Sequence, residues 1–377
     1  MNRHKVWPHN RSKLKSVFFV FIALCQLQTG LVLIRKIPQS GVLQSNMADH
    51  AATSNLHMAS KLLRLPPDFL TELPLGLLDQ LFEKAEALNR TRLLLLDPQF
   101  GLGNRLRALA SSMSFADKTQ RMLIVIWQRD SHMGAALEDL IAGYPDIVLS
   151  WQNFQPRKPL ERAIPDLRVY DFMEPDNSGG RMEPRLDAQS DDHIYLKTAF
   201  VLQSPLARDP SVYLKKLTPL PSIEDAAKLD KSFDSVVAVH IRGMTLEQET
   251  HVNPIQGYPA RKREYLEGWR KVTGNVTKFA TEMDNILQHN KDFSFFVISD
   301  RYDIVCEIQR LFPGKVLTVD SCCSSRDMAC IKCAFLSMLI AAKARAFLGS
   351  KGSSYSESIM LLGKGTHLFT RLAGVDF

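Results

Sequence analysis

The sequence predicts two Rossmann-like α/β domains that face each other across a cleft, preceded by one transmembrane helix and a stem. Short apolar segments alternate with helical ones from Arg92 onward, and an uncharged apolar run lies close to the N-terminus. Such alternation is typical of parallel sheets covered by helices. The candidate strands are too many for one such sheet, and the loop-rich, Pro-containing residues 152–231 separate them into two groups. The strands run over 93–97, 122–127, 146–151, 193–198, 236–241, 293–299, 315–319, 345–349 and 367–370.

The changes in composition also predict the domain boundaries. Residues 1–15 form a cytoplasmic tail, 16–34 a membrane signal anchor and 35–90 a stem. An N-terminal Rossmann-like domain covers 91–225, and a C-terminal Rossmann-like domain covers 226–377. Inside the stem, apolar residues between Leu77 and Leu88 keep helical spacing and predict a short helix.

The anchor is predicted from length and charge. Residues 16–34 read SVFFVFIALCQLQTGLVLI without a charge, and about 20 apolar residues cross a bilayer as a helix. More Lys and Arg precede the run than follow it, so the body of the chain should be lumenal. These features predict a single-pass type II protein of the Golgi or endoplasmic reticulum membrane. A cleaved signal peptide is the alternative, and it also directs the body into the secretory pathway.

Charge and cysteine content narrow the classes of ligand. The net charge of +7 and the pI of about 9.0 suit an anionic ligand such as a nucleoside diphosphate, although part of the excess flanks the anchor. No basic stripe is interleaved with aromatic residues, which argues against nucleic acid. Cysteines cluster in CCSSRDMACIKC, where disulfides are favoured over zinc in an oxidising lumen. Two tripeptides, beginning at Asn89 and Asn275, allow N-glycosylation.

The first candidate site follows the strand over residues 93–97, in PQFGLGNRLRAL. Gly101 and Gly103 form a turn that leads into a helix, and Asn104 and Arg105 lie at the start of that helix. Glycines let the backbone approach a ligand, and a helix N-terminus offers free N–H groups. The alternative is an ordinary tight turn between a strand and a helix.

The second candidate site is the strand VVAVHIR. His240 and Arg242 lie at its carboxyl end on the same face, because strand side chains alternate. A guanidinium binds a diphosphate through paired hydrogen bonds. The alternatives are that Arg242 pairs with a carboxylate at the end of the sheet and that His240 is structural.

Two further strands end in polar residues. FSFFVISD brings Asp300 to a strand end, where the carboxylate could accept hydrogen bonds from a base or cap the next helix. AFLGSKGSSYSES places Ser353, Ser354 and Tyr355 between a strand and a helix. This arrangement predicts a set of donors for phosphate oxygens, although serines also cap helices routinely.

Taken together, GLGNRLRAL, VHIR, FFVISD and GSKGSSYSE resemble the metal-independent fucosyltransferases in order and rough spacing. These are the α-1,6-, α-1,2- and protein O-fucosyltransferases and the bacterial nodulation enzymes. The resemblance covers about residues 92–365 and implies a GT-B-like architecture, GDP-fucose as the donor substrate, no cofactor, and a glycan or glycoprotein acceptor. The absence of an Asp-x-Asp sequence agrees with a reaction that needs no metal.

The resemblance also implies a role for each motif residue. Arg242 would hold the β-phosphate and stabilise the leaving diphosphate, and His240 and Asp300 would contact the guanosine. The remaining positions would line the phosphates from the second domain or the cleft from the first. These positions are Ser353, Ser354, Tyr355, Gly103, Asn104 and Arg105. No catalytic base is assigned, and the candidates are Asp130, Glu247 and Glu249.

Two other classes fit parts of the sequence. A Golgi sulfotransferase would share the anchor and the stem, but GLGNRLR is a poor match to a loop that binds a phosphosulfate nucleotide. An inactive relative would keep the fold as a binding or scaffold protein. Stabilisation by GDP is expected of a fucosyltransferase and not of a sulfotransferase. Transfer of labelled sugar to an acceptor is expected of an active enzyme and not of an inactive relative.

Overall fold

The computed structural model describes residues 61–64, 77–90, 92–143, 147–152, 156–173, 186, 192–228, 232–244, 260–319 and 325–377. The predicted tail and anchor lie outside these described residues. None of the helices in the described ranges has both the length and the apolar character needed to cross a bilayer.

The first half of the chain forms a parallel six-stranded sheet. Its strand order is β1-β5-β3-β2-β7-β6, and every pair of neighbours is parallel. The strands are β1 Lys61–Arg64, β2 Arg92–Pro98, β3 Arg121–Arg129, β5 Ile147–Gln152, β6 Leu167–Asp171 and β7 His193–Thr198. The helices are α1 Leu77–Ala87, α2 Leu102–Lys118 and α3 Arg157–Ala163. A short antiparallel pair, β4 Ile141–Gly143 with β8 Thr218–Pro219, lies beside α4 Pro210–Leu214 and α5 Pro221–Ala226.

The second half forms a parallel five-stranded sheet in the order β11-β10-β9-β12-β13. Its strands are β9 Val236–Ile241, β10 Ser294–Ser299, β11 Val316–Leu317, β12 Ala346–Ser350 and β13 Thr370–Ala373. Its helices are α6 Ala260–Thr273, α7 Val276–His289, α8 Tyr302–Leu311, α9 Met328–Lys343 and α10 Ser354–Leu362. The predicted α/β class with two parallel sheets is therefore confirmed.

Each sheet has a point at which the strand order reverses. After β9 the chain adds β10 and β11 on one side and then returns to add β12 and β13 on the other. In the first sheet, β3 and β5 lie on one side of β2, whereas β7 and β6 lie on the other. Open parallel sheets bind ligands outside the carboxyl ends of their strands at such points. The gaps between β9 and β12 and between β2 and β7 are therefore the places to examine.

Three sequence predictions differ from the structure. The predicted stem overlaps the first domain, because β1 pairs with β5 and because α1 buries Leu81 and Ala85 in a core with β2 and β3. The region 152–231 contains one strand that was not predicted, β6, in addition to β7, which agrees with the predicted strand at 193–198. The last strand covers Thr370–Ala373 rather than 367–370.

One apolar core runs through both halves. It joins Leu96 and Trp127 of the first sheet to Phe335 of α9 and to Phe296 and Phe347 of the second sheet. Helix α2 packs against α10, and α5 packs against α9. The two halves are therefore held together by buried apolar surface as well as facing each other at their strand ends.

One close approach between the halves is made by backbone alone. A Cβ atom added at Gly103, in the first turn of α2, would lie 2.6 Å from the carbonyl carbon of Ser354 and 2.7 Å from the nitrogen of Tyr355. The Ser358 hydroxyl oxygen also lies 3.1 Å from the Gly103 carbonyl oxygen, within hydrogen-bond reach. The first turns of α2 and α10 meet here because position 103 has no side chain.

Two polar contacts reinforce this junction. Arg107 of α2 pairs with Glu357 of α10. The backbone N–H of Gly134 donates to the carbonyl of Arg326 over 2.8 Å, which ties the loop after β3 to the segment before α9.

We expect Gly103→Ala to destabilise the protein by about 1–3 kcal/mol, the usual cost of inserting a methyl group into a packed contact. The matched control is Gly268→Ala in α6, where an added Cβ meets nothing within 4 Å. Because Ala favours helix over Gly by about 1 kcal/mol, this control should be neutral or stabilising. Urea unfolding measures both. Equal stabilisation by the two substitutions would contradict the contact at Gly103.

Candidate functional site

His240 lies at the carboxyl end of β9 and is 3% exposed. Its Nδ1 is 2.7 Å from the hydroxyl oxygen of Ser356, which also accepts the N–H of Ser350 over 3.1 Å. We assign the hydroxyl proton to the bond with Nδ1, so the ring carries its own proton on Nε2. Burial is the main cause that lowers the pKa of His240 to about 4; Asp300 opposes this shift and Arg242 adds to it. The imidazole is therefore neutral at pH 7.

The Nε2 edge of His240 faces the candidate site. In the described parts of the chain, Nε2 has no hydrogen-bond partner, and it is not among the fully enclosed polar atoms. The ring of Tyr355 lies against the imidazole, with 4.7 Å between the ring centroids. This contact fixes the plane of the imidazole, so that Nε2–H is an oriented donor.

Ser350, at the end of β12, connects three segments around the site. Its hydroxyl oxygen accepts the backbone N–H of Arg242 over 3.0 Å and lies 2.7 Å from the carbonyl oxygen of Thr273. Ser350 is fully buried. The end of β9, the end of β12 and the last turn of α6 are thus joined through one hydroxyl group.

Arg242 follows β9 directly, and Asp300 follows the neighbouring strand β10. Nη1 of Arg242 lies 2.7 Å from Oδ2 of Asp300, an ion-pair distance without the alignment of a hydrogen bond. The other carboxylate oxygen accepts the backbone N–H groups of Gly243 over 2.7 Å and Met244 over 3.1 Å. The carboxylate alternative considered for Arg242 is therefore realised. The side chain of Arg242 is nevertheless 20% exposed, so its guanidinium remains accessible.

The position of Asp300 bears on its predicted contact with guanosine. One oxygen holds the turn of residues 242–244 and the other lies against Arg242. In the structure, Asp300 therefore contacts Arg242 and the turn that follows it. A direct contact of Asp300 with a nucleobase stays a prediction.

Ser353 and Ser354 form the N-terminus of α10, beside the end of β12. Ser353 is the N-cap residue, and its side chain makes no capping hydrogen bond. Tyr355 differs from its neighbours, because its hydroxyl donates to the carbonyl of Ala334 over 2.6 Å and burial raises its pKa. Tyr355 thus contributes its ring to the site, against His240, while its hydroxyl is bound to α9.

Gly103 and Asn104 lie at the junction of the halves. The side-chain oxygen of Asn104 accepts Nη2 of Arg107 over 2.7 Å, and Gly103 touches the first turn of α10. Gly103 therefore touches the second half directly, and Asn104 is joined to it through Arg107, which pairs with Glu357. Their predicted role at the edge of a cleft stays a prediction.

Arg105 requires a correction. It is 1% exposed, and its three guanidinium nitrogens contact the carbonyl of Phe100, the carbonyl of Gln128 and the carboxylate of Asp130. The guanidinium also lies 5.3 Å from the ring centre of Trp127. Every partner belongs to the first half, so Arg105 holds the glycine turn from within instead of lining the cleft.

The structure reveals two charged residues near the candidate site, Arg107 and Asp97, that connect separate segments and that the sequence did not indicate. Arg107 contacts the carbonyl of Ala199, the side chain of Asn104 and Glu357 of the other half. Its partners are far apart in the chain, and no local pattern marks them.

Asp97, at the end of β2, is the second such position. Its carboxylate accepts the hydroxyl of Tyr195 and the side-chain amide of Gln99, each over 2.7 Å. Burial raises the pKa of Asp97 to about 6, against the opposing effect of the Tyr195 hydrogen bond. This carboxyl group ties β2 to β7 immediately before the turn that leads into α2.

Other sequence predictions fall partly outside the described residues. Cys330 and Cys333 each take part in a disulfide bond, which agrees with the expected disulfides. Asp130, a candidate base, is bound to Arg105 and to the N–H of His132 over 2.8 Å. Glu247, Glu249, Cys322 and Cys323 lie outside the described ranges.

Comparison with known proteins gives matches only among solved structures, since no protein-family model and no curated protein matches the sequence. NodZ α-1,6-fucosyltransferase soaked with GDP-fucose is similar at 15% identity and a TM-score of 0.44, over 72% of this chain and 92% of that one. Fucosyltransferase NodZ from Bradyrhizobium is similar at 14% identity and a TM-score of 0.43, over 72% of this chain and 93% of that one. POFUT1 in complex with GDP-fucose is similar at 13% identity and a TM-score of 0.44, over 75% of this chain and 98% of that one.

The lowered pKa of His240 predicts a loss of stability in acid. The folded protein protonates His240 only near pH 4, whereas the unfolded chain does so near pH 6.5. Unfolding therefore takes up a proton between these values, and stability falls by up to about 3 kcal/mol as the pH is lowered through them. His240→Asn keeps an acceptor for Ser356 but does not titrate, so it should lack this loss.

The measurement is urea unfolding of both proteins from pH 7.5 to pH 4. The difference between the two curves is the relevant quantity, because the raised pKa of Asp97 acts in the opposite direction over part of this range. Parallel curves would show that His240 is not held neutral.

Proposed function

We propose that this protein is a glycosyltransferase that moves fucose from GDP-fucose to an acceptor hydroxyl. The observation that supports this most directly is the set of groups at the strand-order reversal between β9 and β12. A partly exposed guanidinium, an oriented Nε2–H donor and the N-terminus of α10 all lie at this edge of the second sheet. These groups suit a nucleoside diphosphate that carries a sugar.

Arg242 is the group that would hold the diphosphate. Its backbone is fixed by Ser350 and its following turn by Asp300, so its guanidinium is placed before any ligand binds. Asp300 offsets part of the arginine charge. A preorganised cation stabilises charge that develops on a leaving group without reorganising during the reaction.

His240 would donate from Nε2 to an oxygen of the nucleotide. Because the pKa of the ring is lowered to about 4, the imidazole remains a neutral donor over the range in which secretory enzymes work. It would therefore orient the ligand by a hydrogen bond, with little contribution from charge. The first turn of α10, with Ser353 and Ser354, would supply further donors to phosphate oxygens.

In the reaction, the bond between the anomeric carbon and the β-phosphate oxygen breaks, and a bond to the acceptor oxygen forms. The electron pair of the broken bond remains on GDP, beside Arg242. The acceptor proton passes to a base or to solvent. We propose that Arg242 and the helix N-terminus perform the electrostatic task that a metal performs in other transferases.

The choice of fucose and guanosine rests on the resemblance of the four motifs, and the acceptor is proposed to be a glycan or glycoprotein. We also propose that residues 16–34 anchor the enzyme in a Golgi or endoplasmic reticulum membrane with the catalytic part in the lumen. Protease protection of residues 61–377 in intact microsomes would support this orientation, and digestion without detergent would contradict it.

We expect Arg242→Ala to lower the rate of fucosyl transfer by about 100-fold or more, the usual effect of removing a group that stabilises transition-state charge. Arg242→Lys should keep part of the activity, because a lysine retains the charge but loses the paired donors. Arg310→Ala, at an exposed position on α8, is the control and should behave like the unaltered protein.

The assay uses labelled GDP-fucose, with hydrolysis as the readout when no acceptor is supplied. Activity should persist in EDTA, and GDP should raise the melting temperature whereas a phosphosulfate nucleotide should not. Near-normal turnover by Arg242→Ala would sink the assignment of Arg242. Stabilisation by GDP without turnover of any acceptor would favour the inactive relative.

A further inference from the structure

The last turns of α6 lie against both loops of the proposed nucleotide site. The carbonyl of Thr273 lies 2.7 Å from the hydroxyl oxygen of Ser350, which also accepts the N–H of Arg242. At Gly274, an added Cβ would lie 2.3 Å from the carbonyl oxygen of Arg242. The end of α6 thus approaches the backbone of the proposed catalytic arginine as closely as backbone allows.

Trp269 of the same helix contacts the other loop. Gly352, between β12 and α10, has a φ of +69°, and a Cβ added there would meet the Trp269 ring at 2.7 Å. Only a glycine satisfies both the left-handed backbone and the contact with the indole. Helix α6 is therefore positioned by the loop of residues 350–353 as well as by Arg242.

Arg270 acts on the turn that carries Arg242. Its Nη1 donates to the carbonyl of Met244 over 2.9 Å, while the N–H of Met244 donates to Asp300. The turn of residues 242–244 is thus held by Ser350 at its start, by Asp300 in its middle and by Arg270 at its end. Asp300 thus binds the N–H of Met244 and Arg270 binds its carbonyl, which fixes the orientation of this part of the turn.

We propose that Arg270 is a positioning residue for nucleotide binding: it holds the carbonyl of Met244 and thereby keeps Arg242 directed at the diphosphate. This role rests on the proposed function. It gives a role in ligand binding to a residue of α6, which lies outside all four motifs. Without Arg270, the turn of residues 242–244 loses one of its three anchors, and the guanidinium of Arg242 samples positions away from the ligand.

The test measures the dissociation constant of GDP by calorimetry for the full chain, well below its melting temperature. Arg270→Gln should weaken GDP binding roughly tenfold, as expected for the loss of one charge-assisted hydrogen bond. Arg270→Lys keeps a cationic donor and should recover part of the affinity. Lys271→Gln removes a charge from the next, exposed residue of α6 and should leave the affinity unchanged.

A double-mutant cycle with Arg242→Lys separates positioning from an independent contribution. If Arg270 acts through Arg242, the effect of Arg270→Gln on GDP affinity should shrink in the Arg242→Lys background. Equal losses in both backgrounds, or unchanged affinity of Arg270→Gln, would overturn the proposal. Absence of GDP binding by the unaltered protein would instead refute the proposed function, so the two failures are distinct.

Discussion

The close contact between the first turns of α2 and α10 is the constraint on which the arrangement of the two halves depends. At Gly103 the backbone of one half touches the backbone at Ser354 and Tyr355 of the other, at distances that no side chain allows. This contact brings the N-terminal ends of two helices, and so the carboxyl edges of two sheets, to the same place. A continuous apolar core that includes residues of both halves supports this contact.

Near this junction, a buried hydrogen-bond network supports the groups that are available to a ligand. A chain of buried hydroxyl and imidazole groups, formed by His240, Ser356 and Ser350, connects β9 to β12 and to α10. Each member satisfies a polar group of the next, and burial keeps the imidazole uncharged. The same network leaves one edge of His240 and part of Arg242 turned toward the opening. Stability and ligand binding therefore depend on one set of hydrogen bonds.

Charge at the site is partly offset by a neighbouring carboxylate. Asp300 lies against Arg242 and holds the following turn, and Arg270 binds the far end of that turn. An arginine that is fixed in this way loses little freedom when an anion binds. In the first half, Arg105 is held by three partners in a comparable way, but all of them enclose it. The two arginines show that a conspicuous cation at a strand end has either role, depending on the partners that surround it.

The sequence by itself determined the class of the fold and most of its elements. Apolar runs at strand spacing and helical periodicity predict elements such as β9 and α2 because burial requires those patterns locally. It also determined which strand ends carry His240, Arg242 and Asp300, since each of these residues closes or directly follows an apolar strand in the sequence. It missed β1 and β6, which lie in segments that its composition assigns to a stem and to a loop region.

The tertiary structure alone decided which of the candidate residues are accessible and which are enclosed. Arg105 and Arg107 are two positions apart in one helix, yet one is buried within the first half and the other bridges to Glu357. Nothing local distinguishes them, because most of their partners are distant in the chain: Gln128 and Asp130 reach Arg105 within the first half, whereas Glu357 reaches Arg107 only when the two halves pack. The same holds for Tyr355, whose hydroxyl is taken by α9, and for Arg270, whose partner Met244 lies in a different segment. Long-range hydrogen bonds depend on where the chain folds back, and a local pattern carries no record of that.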